Sequence, residues 1–195
     1  IDYQSYLLSQ GPDISFSSDK VAVINIQGPI FLGSEGMGAT SADTAIQLIR
    51  EARRSEEVVA IVVRVDSPGG SAFASEMIRL ELELAQIDGI PVVASFASVA
   101  ASGGYWLSAT SDYILAEPNT VTGSIGVFSV LFTAEKAASN IGIQTDGVAT
   151  TPFSQVDPFT KPNPQLSEAL QLSVEHGYNQ FVELVARGRG LGRNQ

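Results

Sequence analysis

The sequence predicts an α/β fold with a mostly parallel sheet flanked by helices. Three observations carry that prediction: short β-branched runs recur along the chain, stretches of helical periodicity separate them, and glycine-bearing junctions sit where runs end. A chain of 195 residues with 44% hydrophobic side chains has enough apolar material for one core, with room for an appendage.

Residues 1–19 are polar and turn-rich around Gly11-Pro12 and read as a linker or docking segment, with a short helix over Tyr3 to Leu8. The domain proper is expected over residues 20–195. Its candidate strands are Val21 to Gln27, Val58 to Val65, Pro91 to Phe96, Tyr113 to Ala116, Gly126 to Leu131 and Ile143 to Gly147. Ala42, Ala45, Ile46, Ile49 and Ala52 recur at helical spacing behind a Thr40/Ser41 cap, and Ala74, Met77, Ile78, Leu80, Leu84 and Ile87 do so behind Gly70-Ser71. A shorter helix should begin near Val99 and carry Ser102, and another should span Thr133 to Asn140. Pro152, Pro158, Pro162 and Pro164 make the stretch from Thr151 a loop or extended arm. A long helix should then run from Leu166 to about Ala186 on an apolar stripe of Leu170, Val174, Tyr178, Phe181 and Val185. Ile1 starts the chain without an initiator methionine or a signal-like pattern, and the Gly/Arg-rich stretch from Arg187 to Gln195 has no obvious domain ending. Both ends read as cuts within something longer, with the domain truncated at its C-terminal side.

The balance of 21 acidic to 11 basic side chains gives a formal charge of −10, which repels phosphate backbones and argues against nucleic acid as a partner. The absence of cysteine removes thiol catalysis, Cys-based zinc sites and disulfides. The longest apolar runs, near residues 58–63 and 90–93, have strand length, well short of the ~20 residues that cross a bilayer.

Three junctions could carry chemistry: Asp66-Ser67-Pro68-Gly69-Gly70, Ala100-Ala101-Ser102-Gly103-Gly104-Tyr105-Trp106, and Thr122-Gly123-Ser124-Ile125-Gly126. The C-terminal strand ends of a parallel sheet line one edge, where ligands bind, so the first two should converge there. Pro68 fixes φ while Gly69-Gly70 let the backbone turn with N–H groups outward at a helix start, an arrangement suited to an oxyanion. Ser102 sits between Ala101 and Gly103, so no side chain blocks approach to its hydroxyl. Tight turns that use glycine for sterics alone explain the same residues equally well.

A nucleophilic serine needs a base. The only histidine, His176, falls on the long C-terminal helix, where a surface histidine without a role is the simpler reading, and this argues against a Ser-His-Asp triad. A Ser-Lys dyad, in which a desolvated lysine takes the serine proton, has only Lys20, Lys136 and Lys161 to draw on, and each reads as a solvated side chain.

In their order and spacing, from about Lys20 to Ala186, the three junctions resemble the signal peptide peptidase (protease IV) family, whose fold is that of the ClpP/crotonase superfamily. The resemblance implies a fold of repeated ββα/βα units. It implies Ser102 as nucleophile, Gly69 and Gly103 as backbone oxyanion donors, and Ser124 as the serine that orients the general-base lysine. It implies no metal and no cofactor. In short family members that lysine lies in a Gly-x-x-Lys-Ser-like stretch after the sixth strand, and here the place reads Gly147-Val148-Ala149-Thr150-Thr151, with Thr150 where lysine would stand. The departure resembles the C-terminal half of the long, duplicated form. The partners then implied are an N-terminal half that donates the lysine, further copies of the protein, and hydrophobic signal-peptide remnants as substrate. The implied location is the extracytoplasmic (periplasmic) side of a bacterial inner membrane. Two other readings remain: a crotonase-type acyl-CoA lyase or hydrolase using the same turn, and a non-catalytic assembly domain.

Overall fold

The computed structural model describes residues 19–33, 38–148, 150–151, 153, 157–160 and 163–192, so the expected helix at Tyr3 to Leu8 lies outside the described residues. The elements follow in chain order as β1 (Lys20–Gln27), β2 (Ile30–Phe31), β3 (Thr40–Ser41), α1 (Ala42–Arg54), β4 (Val58–Ser67), α2 (Ala72–Ile87) and β5 (Val92–Ala101). After them come α3 (Gly103–Ser108), β6 (Tyr113–Leu115), β7 (Val121–Gly123), α4 (Glu135–Asn140) and α5 (Pro164–Arg189).

The main sheet has the order β1-β4-β5-β6, with β7 paired to the far end of β5, and every pairing is parallel. Ile24 lies opposite Val63 and Ile26 opposite Val65, while Val63 and Val65 face Ala94 and Phe96 on the next strand. Because side chains alternate along a strand, this register puts all six on one face, and all six are buried. Ala45, Ile46 and Ile49 of α1 and Ala74, Ile78 and Leu82 of α2 join the same core. Each large side chain among them contributes about 1.5–3 kcal/mol of burial. The Ser41 hydroxyl caps α1 by accepting the Thr44 N–H, and that of Ser71 caps α2 by accepting the Ala74 N–H.

Helix α5 begins at Pro164 behind an Asn163 cap and ends at Arg189, three residues beyond the expected Ala186, with Gly190 as a left-handed cap. It docks through Phe181, which is fully buried against Trp106, with ring centroids 4.6 Å apart, and against Tyr105 at 6.5 Å. Replacing Phe181 with alanine is expected to lower unfolding free energy by about 3–5 kcal/mol, measured as the denaturant midpoint at unchanged slope. A loss under 1 kcal/mol would mean that α5 is not part of the core.

The structure corrects the sequence in the second half. Strands are absent at Gly126 to Leu131 and at Ile143 to Gly147, both of which are described and irregular. The β-branched pattern is present, but among the described residues no neighbouring strand pairs with either stretch, and apart from Val127, which is half-buried against the core, the large side chains stand in solvent, with Phe128 84% exposed. The helix expected from Thr133 is confined to α4. The helix expected near Val99 starts only after Ser102, because β5 continues through Ala101.

Candidate active site

The extra length of β5 is what brings the junctions together. Val65 pairs with Phe96, but the next pair is Ser67 with Ala100, so β5 bulges by two extra residues against β4. The Asp66 carboxylate accepts the Val99 N–H at 3.1 Å, which ties the bulged strand back. Beyond the bulge, Ala101 pairs with Gly123 of β7, so Ser102 and Ser124 follow level positions on neighbouring parallel strands. The Ser102 N–H donates to the Gly123 carbonyl at 2.9 Å.

Ser102 (φ 49°, ψ −118°) and Ser124 (φ 51°) are the two non-glycine residues with positive φ among the described residues. That region costs a side-chain-bearing residue about 1–3 kcal/mol and persists only where the surroundings impose it, as at a nucleophile held on a sharp strand-to-helix turn. Trp106 N–H donates to the Ser102 carbonyl at 2.8 Å and opens α3 directly behind the serine. The Ser102 hydroxyl makes no side-chain cap bond to that helix.

The first junction closes onto the second. The Ile30 N–H donates to the Gly69 carbonyl at 2.9 Å and the Ser71 N–H to the Ile30 carbonyl at 2.8 Å, which stitches the turn to β2 and leaves the Gly70 amide facing the other way. The Gly69 N–H is held by the Ser67 hydroxyl at 3.1 Å. Gly69 has φ +101°, and a Cβ there would lie 2.6 Å from the Gly103 nitrogen and 2.8 Å from the Ser102 Cβ, so the close approach requires glycine. A cavity of about 190 Å³ opens beside this contact, lined by Gly70, Ser71, Ala72, Ser102, Gly103 and Trp106 with Gly126, Val127 and Phe128 opposite. All three junctions therefore meet at one place, the third through Gly123.

Among the described residues no candidate base is brought in with them. His176 is exposed on α5, Lys20 is exposed and paired with Glu57, Lys136 is exposed on α4, and Lys161 lies outside the described residues. Thr150, at the position where lysine would stand, is exposed. Among the described residues no cluster of His, Cys, Asp and Glu could hold a metal ion, and no helix is long and apolar enough to cross a membrane.

Sequence reasoning missed the polar network under α3. Glu76, Arg79 and Glu83 stand at i, i+3 and i+7 on α2, a pattern that was readable as one helical face. The buried Arg79 donates to Glu76 and Glu83, and Glu76 accepts the Trp106 indole N–H.

A parallel sheet that ends in a strained serine beside a glycine turn defines a ClpP-like α/β protein with a candidate serine-nucleophile site. The likeness extends to a solved ClpP1 mutant from Listeria monocytogenes, with a TM-score of 0.50 at 15% identity over 89% of this chain and 75% of that one. The chain belongs to peptidase family S49, whose sequence profile matches residues 85–195. It is 45% identical over 189 residues to Protease 4 of Salmonella typhi, covering 97% of this chain and 30% of that protein. It is 44% identical over 177 residues to Protease 4 of Haemophilus influenzae, covering 91% of this chain and 29% of that one. The chain thus spans under a third of the length of these curated relatives.

Proposed function

We propose that this chain is the serine-bearing half of a signal peptide peptidase that works by a Ser-Lys dyad completed by an N-terminal half. The observation that carries the reading is the pair of strained serines, Ser102 and Ser124, set level at the ends of β5 and β7 and joined through the Ser102–Gly123 hydrogen bond. Ser102 Oγ attacks the scissile carbonyl, a lysine held near Ser124 takes its proton, and the amine leaves with that proton to give an acyl-enzyme that water cleaves. Gly103 and the Gly69-Gly70 turn hold the oxyanion. The amide directions favour Gly70 as the donor within the turn, with Gly69 as the residue whose missing side chain lets it close on Ser102. The cavity lining has no lysine or arginine for the phosphates of coenzyme A, which favours a peptide over an acyl-CoA. Hydrophobic signal-peptide remnants, assembly of several copies, and a site on the extracytoplasmic face of the membrane complete the reading.

A fluorophosphonate probe tests the division of labour. Ser102 is expected to label rapidly when the lysine-bearing half is present and at least about a hundredfold more slowly in this chain alone, because a serine hydroxyl without a base is a weak nucleophile. Equal labelling in both would sink the shared dyad.

A further inference from the structure

Trp106, the sole tryptophan of the chain, forms one wall of the cavity beside Ser102. Its indole is held from two sides. Phe181 of α5 lies against it at 39° between ring planes, and the Nε1–H donates to Glu76 Oε2 at 2.6 Å. Arg79, 3% exposed, grips the same carboxylate with two bonds of 2.8 Å, from Nε to Oε2 and from Nη2 to Oε1. It passes on to Glu83 at 2.8 Å, which Arg187 of α5 reaches at 2.9 Å. A carboxylate held by three charge-assisted or buried donors has one orientation, and it imposes that orientation on the indole.

We infer that Glu76 is a positioning residue: through the Trp106 indole N–H it fixes the wall of the pocket that receives the substrate side chain next to the scissile bond, and so selects an uncharged side chain of limited size there. The inference rests on the peptidase reading. A cavity of about 190 Å³ is smaller than the ~300 Å³ at which whole small ligands begin to fit, and it suits one side chain. Its lining residues carry no charged side chain, so an ionised group entering it would lose water without gaining a partner. The wall and the nucleophile share one helical turn, because the Trp106 N–H donates to the Ser102 carbonyl. Burial works to raise the Glu76 carboxyl, but the donors from Arg79 and Trp106 and the charges of Arg79 and Arg187 outweigh it and hold it below the ordinary glutamate value. The group is therefore an acceptor for the indole at neutral pH.

Glu76 could matter only as a partner for Arg79, and a double-mutant cycle separates that role from one exercised through the indole. The enzyme assembled with its base-donating half would be prepared as wild type, Glu76→Gln, Trp106→Phe and the double variant. Each is assayed on two peptides that differ only by alanine or leucine before the scissile bond. Glu76→Gln is expected to change the alanine-to-leucine ratio of kcat/KM by about fivefold or more, within the range over which pockets discriminate such side chains. In the Trp106→Phe background, where the ring has no N–H to give, the same change is expected to move the ratio by less than about twofold. An unchanged ratio in the first background, or equal shifts in both, overturns the inference. Glu76→Asp, whose carboxylate is one methylene too short to reach the indole, gives the same ratio shift and serves if the glutamine variant does not fold. Tryptophan emission from this chain reports the indole directly: Glu76→Gln should shift its maximum and its acrylamide quenching, and an unmoved spectrum overturns the contact. If Ser102→Ala kept its turnover, the peptidase reading would fall, and the emission result would still decide the Glu76–Trp106 contact.

Discussion

Ser102→Ala in the assembled enzyme is expected to lower kcat by on the order of 10⁵-fold, about 7 kcal/mol of transition-state stabilisation, with KM little changed. The expected size follows from the position of the residue. Ser102 ends the strand that the bulge has pushed forward, its amide is fixed by Gly123, and its hydroxyl makes no cap bond to α3. Removing one oxygen there should leave the backbone as it is, since alanine occupies the same strained conformation at the same cost. Circular dichroism and the denaturant midpoint of the variant are therefore expected to match wild type while turnover disappears. His176→Ala, on the exposed face of α5, serves as the control and should keep activity within about twofold, as exposed substitutions away from a site usually do. Turnover that survives in the serine variant would remove Ser102 as the nucleophile.

Gly69→Ala should have the second largest effect, by a different route. The added methyl would sit 2.6 Å from the Gly103 nitrogen and 2.9 Å from the Ala101 carbonyl oxygen, inside any permitted contact with backbone. Those atoms belong to the nucleophile's own turn and cannot swing aside like a flexible side chain, so the glycine turn must lift away from Ser102. The expected result is a loss of 10²–10³-fold in kcat, roughly the worth of one oxyanion donor, together with a stability loss of about 1–3 kcal/mol from forcing alanine to φ +101°. Single-turnover acylation separates the two, because the chemical step should slow even at substrate saturation and below the unfolding transition. A variant acylating within tenfold of wild type would mean that the turn does not take part in the reaction.

The first half of the fold was legible in the sequence because its signals are local. Caps at Ser41 and Ser71, helical spacing behind them, and β-branched runs before them each specify one element without knowledge of what packs against it. The far end of β5 was not legible, since Ser98, Val99 and Ala100 have no strand signal of their own; the bulge and the Asp66 bond that extend the strand depend on β4, more than thirty residues earlier. The stretches at Gly126 to Leu131 and Ile143 to Gly147 failed for the opposite reason. Their pattern is that of strands, but a strand needs a neighbour, and the described residues supply none to either. At the candidate site, Ser102, Ser124 and the glycines were picked out by motif, whereas Glu76 was readable only as part of a charged helical face and its link to the site was not. Its partner Trp106 is thirty residues away and meets it only when α3 folds back on α2.

The strained serines have a consequence for how such a chain changes over generations. At φ 49° and 51°, glycine would relieve the backbone at either position, losing only part of that gain to its greater freedom when unfolded. The substitutions that most simply make this protein sturdier therefore include those that silence it. Copies released from selection for activity have a downhill route to inert, well-folded descendants, and a stable relative with glycine at residue 102 would be what that route leaves behind.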